Sequence, residues 1–100
     1  MTKLVVHIFY NNNLFLPSLV NEIGKQISSL EVKDIELVPN IMDTNKDKVM
    51  SDAYGISQDT KRITAIVLNE KNEEMFRAEG TTPSAILTSV QLGMKDYENR

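Results

Sequence analysis

The sequence predicts an α/β domain in which a mixed sheet of four strands carries helices on both faces, in the order βαβαββα. Three observations point there. Two nearly continuous apolar runs rich in branched residues, Leu4 to Phe9 and Ile63 to Leu68, read as strands buried on both faces. Between them lies a helical stripe followed by a strand that contains a proline. After them come a short hairpin and a helix with its own start signal.

The first run is interrupted by His7, which is expected as a partly buried histidine hydrogen-bonded to a neighbour. Leu16, Leu19, Val20, Ile23, Ile27 and Leu30 then recur at three- and four-residue steps and mark one face of the first helix. Asn13 is the expected N-cap, because its side-chain oxygen can accept an orphan amide N–H, and Pro17 falls at or just after the first turn. Gly24 costs that helix about 1 kcal/mol relative to alanine, which a close packing contact would explain.

Asp34 to Met42 alternates early and then meets Pro39, so this strand belongs at a sheet edge. Reached through a helix, it runs parallel to the first strand by a right-handed crossover. Val49, Met50, Ala53 and Tyr54 share one face of a short second helix, which Gly55 is placed to end. Ile63 to Leu68 is the second central strand; Glu73 to Glu79, joined to it by a polar turn, forms the opposite edge. Thr82 as N-cap and Pro83 at the first position open the last helix. Its buried face comprises Ala85, Ile86, Leu87, Val90 and Met94. The chain thus reads as a single domain over residues 1–96 with a polar tail over 97–100.

Bulk composition narrows the chemistry. With 100 residues, 41% of them hydrophobic, the chain can bury a core without staples. Eleven Lys and Arg against fourteen Asp and Glu are scattered along it, giving a net charge of -3 and no run of cations to follow a phosphate backbone, so no nucleic acid is expected as a partner. There is no cysteine, hence no disulfide and no thiolate nucleophile, and the single His7 cannot build a histidine metal cluster. No cofactor or metal is expected. No run is long enough to cross a membrane, and a cytoplasmic location is the expectation.

Several short stretches are similar to the thioredoxin-like superfamily: Leu19-Val20-Asn21-Glu22-Ile23 to its first-helix segment, and Asn40-Ile41-Met42-Asp43 to the end of its second core strand. Ala53-Tyr54-Gly55-Ile56 resembles its Tyr-Gly-Ile segment, and Arg77-Ala78-Glu79-Gly80 its glycine-ended last strand. The departures fall on the redox site. Tyr10 and Asn13 stand where the family has its two cysteines, with Asn11 and Asn12 between them, and Ile63-Thr64 stands where the family has its cis-proline. Neither position can form or exchange a disulfide, and the Arg62–Ile63 bond is expected to be trans.

What the resemblance implies is a redox-inactive module that binds a protein partner. In that fold the turn after strand one meets the loop before strand three. Tyr10, Asn11, Asn12, Asn13, Arg62, Ile63 and Thr64 would then surround a shallow groove, with Tyr and Arg of the kinds enriched at binding hot spots. The alternative is a small non-thiol enzyme or glutathione-binding protein. In glutathione transferases a hydroxyl near the start of helix one stabilises a bound thiolate, a role Tyr10 could imitate. A disulfide oxidoreductase is excluded by the absence of cysteine. Oligomeric state is left open.

Overall fold

The computed structural model describes residues 1–99. Seven elements follow the expected order: β1 (Thr2–Tyr10), α1 (Pro17–Ser28), β2 (Ile35–Asp43), α2 (Lys48–Ala53), β3 (Ile63–Leu68), β4 (Glu74–Gly80) and α3 (Pro83–Glu98). They build one four-stranded mixed sheet in the order β2-β1-β3-β4. β2 is parallel to β1, whereas β3 runs antiparallel to both β1 and β4. The two apolar runs are the central strands, and the proline-bearing and charge-bearing strands are the edges, as their sequences predict.

Side-chain alternation divides the core between two faces. Leu4, Val6, Ile8 and Tyr10 of β1 join Val20, Ile23 and Ile27 of α1 and Ile86, Val90 and Met94 of α3 in one cluster. Phe9 faces the other way, with Met42, Ile56, Ile66 and Leu68, under Met50 of α2 and Tyr54 just beyond it. One face is covered by two long helices and the other by a helix of six residues. His7 lies on this thinner side, 8% exposed, with its ring 5.6 Å from that of Tyr54. Its Nδ1 is 3.1 Å from the amide nitrogen of Asn40, its register partner on β2. Because the carboxamide donates there, Nδ1 accepts and the ring proton sits on Nε2.

Gly24 and Gly93 each mark a close approach. A Cβ on Gly24 would stand 3.1 Å from Cδ1 of Ile41 and 3.5 Å from Cβ of Pro39, so glycine lets α1 settle against β2. A Cβ on Gly93 would lie 2.3 Å from Cε2 of Phe76, so α3 takes that ring directly against its backbone. Gly55 has a different reason: its φ of +70° follows the C-cap Tyr54 in the left-handed region where a side chain is strained.

Four local expectations need correction. Helix α1 is capped at Leu16, not Asn13, because Pro17 takes the first helical position while a separate turn occupies Asn11 to Phe15. On α2 it is Ser51 that is buried, its hydroxyl donating to the Asp47 carbonyl at 2.9 Å, while Val49 is 83% exposed and Ala53 also faces out. On α3, Ile86, Val90 and Met94 are buried and Leu87 packs against them, but Ala85 is exposed. The expected tail continues that helix to Glu98, whose Oε1 accepts from the Lys33 backbone at 3.2 Å. Thr82 does cap α3, accepting from the Ala85 amide. All peptide bonds among the described residues are trans, including Arg62–Ile63. No helix among them is long and apolar enough to cross a membrane.

Candidate functional site

β1 and β2 are parallel, so their C-terminal ends share one end of the sheet, and the turns leaving them meet there. After Tyr10 the chain closes a helical turn: the amides of Leu14 and Phe15 both donate to the Asn11 carbonyl at 3.0 Å. Within it the Asn13 amide donates to Oδ1 of Asn11 at 3.0 Å, an Asx turn. That explains why Asn13 does not cap the helix: its segment is already committed to a turn centred on Asn11.

The turn after β2 is built the same way, with the Asn45 amide donating to Oδ1 of Asp43 at 2.9 Å. The Asn45 carboxamide then joins the two turns. Its nitrogen donates to Oδ1 of Asn11 at 2.9 Å and to Oδ1 of Asn12 at 3.0 Å. A third loop, ahead of β3, closes the ring: Gln58 Nε2 donates to Asn45 Oδ1 at 3.2 Å, and the Thr44 hydroxyl donates to the Gln58 carbonyl at 2.9 Å. Asn11 also reaches that loop, its Nδ2 lying 3.5 Å from the Thr60 carbonyl. The Thr44 amide donates to the Tyr10 carbonyl at 2.8 Å. Amide, hydroxyl and carboxylate groups therefore clasp three loops, and no buried side-chain polar atom among the described residues lacks a partner.

The predicted site residues separate into two groups. Asn11 (5% exposed), Tyr10 (6%), Thr64 (3%) and Ile63 (0%) are buried. Asn12, Asn13 and Arg62 are exposed. The loops do come together, as the Asn11–Thr60 contact shows, but Tyr10 and Ile63 belong to the core cluster and do not wall a groove. Burial and the nearby Asp43 carboxylate both push the Tyr10 phenol above its ordinary pKa, so it stays neutral. Arg62 leans toward β4, with Nη1 3.6 Å from Oε2 of Glu79.

The turn also exposes apolar side chains: Leu14 is 55% and Leu16 71% exposed. The clasp residues Asp43, Thr44, Asn45 and Gln58 were not among the sequence-predicted site. Their signal was the Asp-Thr-Asn stretch at the end of β2, the same strand-to-turn chemistry as at Asn11. Among the described residues there is no grouping of three His, Cys, Asp or Glu side chains able to hold a metal ion. No protein-family model matches this chain, and no curated protein does. Function must therefore be read from the geometry.

Proposed function

We propose that the protein is a redox-inactive, thioredoxin-like binding module that recognises a protein partner through the surface at the β1–α1 turn. The fold half of this reading rests on topology: strand order β2-β1-β3-β4 with β3 antiparallel, and α2 on the face opposite α1 and α3. A thioredoxin-like domain has that arrangement, and its redox turn follows the first strand, where this chain has Tyr10-Asn11-Asn12-Asn13.

The binding half rests on one observation: the clasp hydrogen-bonds this turn to the loop after β2 while Leu14 and Leu16 project from it into solvent. A preordered apolar patch loses little conformational freedom on docking, which favours affinity. Asn12, Asn13 and Arg62 supply a polar rim of the kind that surrounds such a patch.

The test is affinity capture with the wild-type chain beside Leu16→Asp, with Val49→Asp as a control on the equally exposed second helix. A partner held through the turn is retained by wild type and by Val49→Asp and released by Leu16→Asp. Equal capture by all three chains, or capture by none, sinks the proposal.

A further inference from the structure

Helices α1 and α3 lie side by side on one face of the sheet. β1 and β4 both run antiparallel to β3, so they finish at the same end of the sheet, and both helices start there. Charged residues make up 25% of the chain, yet none falls in Asn11 to Asn21 or in Gly80 to Met94. These two stretches supply the approach to the two helices and their first turns. Along α1 the first charged side chain is Glu22, and along α3 it is Lys95. Two stretches far apart in sequence thus merge into one surface without formal charge.

That surface has the make-up of an interface. Leu14, Leu16 and Leu92 are 55%, 71% and 64% exposed on it, and Asn13, Ser84 and Thr88 are exposed there too. Depletion of charge is what marks the centre of a protein–protein contact, more than apolar character as such. The far side of the sheet differs: around α2 the chain exposes Lys46, Asp47, Lys48 and Asp52.

The same features select the occupant. Each copy carries a net charge of -3, all of it from residues outside these two stretches, so two copies meet with least repulsion through them. Amide and hydroxyl groups both donate and accept hydrogen bonds, so a surface built from them can complement itself, as a surface of one charge sign cannot. We propose that the protein forms a two-fold dimer in which this uncharged face of α1 and α3 covers the same face of a second copy. A two-fold contact uses one patch on both partners, which is what self-complementarity permits. The inference rests on the reading of the β1–α1 turn as a binding surface and names the partner that it meets.

The test is light scattering on the full chain over about 10–500 μM, where mass action moves a reversible dimer through its transition. Wild type is compared with a Ser84→Lys, Thr88→Lys chain, a Ser84→Glu, Thr88→Glu chain, and Val49→Lys as a control beyond the sheet. All three positions are exposed on helices, so the fold tolerates the new side chains. The masses of wild type and Val49→Lys should rise with concentration from one chain toward two. Each like-charged chain should associate at least about tenfold more weakly, and an equal mixture of the two should recover the dimer. The proposal is overturned if wild type stays monomeric throughout, if either like-charged chain associates as wild type does, or if mixing restores nothing. A monomeric wild type that still loses a captured protein on Leu16→Asp overturns the dimer alone and leaves the role proposed for the turn standing.

Discussion

Replacing Gly93 by alanine separates packing from helix propensity. The new Cβ would stand 2.3, 2.5 and 2.7 Å from Cε2, Cζ and Cδ2 of Phe76, where carbon atoms ordinarily rest about 3.5 Å apart or more. The ring must retreat by roughly 1 Å or change rotamer, giving up contact with the main core cluster, and overpacking of this kind costs about 1–3 kcal/mol. Alanine returns about 1 kcal/mol of propensity in a helix interior, so Gly93→Ala should destabilise by about 0–2 kcal/mol net. In a Phe76→Ala background those ring atoms are gone and only the propensity gain is left. The same substitution should then stabilise by about 1 kcal/mol. Urea unfolding of wild type, the two single variants and the double variant measures the coupling, expected at about 1–3 kcal/mol. Effects of Gly93→Ala that agree within about 0.5 kcal/mol in the two backgrounds would refute the proposed contact between ring and helix backbone.

Other substitutions probe the turn and the thinner face. Leu16→Asp should raise stability by about 0.5–2 kcal/mol even as it abolishes partner capture, because it puts a good capping side chain at an N-cap that has no side-chain hydrogen bond. An unchanged or lowered urea midpoint would count against Leu16 as the cap. Asn45→Ala removes the link between the three loops and should cost about 1–2 kcal/mol, with faster hydrogen exchange at the Asn13 and Asn45 amides. Unaltered exchange there would mean the clasp holds nothing. Burial holds His7 below its ordinary pKa of about 6.5, so the unfolded chain takes up the proton first as the pH falls. Its contribution is therefore complete above that value and is lost as the pH drops toward the folded value, at no more than about 1.4 kcal/mol per pH unit. His7→Gln should flatten the stability profile between about pH 7 and pH 5; parallel profiles for the two chains would refute the assignment.

The elements were legible in the sequence because each carried its own period or punctuation. The two branched apolar runs became the central strands, and Thr82-Pro83 opened α3 as written. What the sequence hid was tertiary. Ser51 is polar yet buried, since its hydroxyl finds the Asp47 carbonyl within the same helix, while Val49 has nothing above it to pack against. Asn13 looked like a cap, but whether an asparagine caps a helix or serves a turn depends on which amide reaches an oxygen first, and Asn11 takes that of Asn13. The site was half legible. The position of the turn could be inferred from element order, but the clasp could not, because Asn45 and Gln58 lie 34 and 47 residues from Asn11 and only the fold brings them together.

The place of β1 in the sheet also shapes how the chain is made. Of the four strands β1 is synthesised first, and its partner on one side, β2, follows through a single helix. Its partner on the other side, β3, begins only at Ile63, so the whole stretch from Asn11 to Arg62 must be synthesised before that edge can close. Until then Val6, Ile8 and Phe9 belong to a strand with one open side, the kind of exposed apolar edge that recruits other nascent chains. A stall or truncation between β2 and β3 should therefore leave an aggregation-prone fragment, whereas loss of the last turn of α3 leaves the sheet complete.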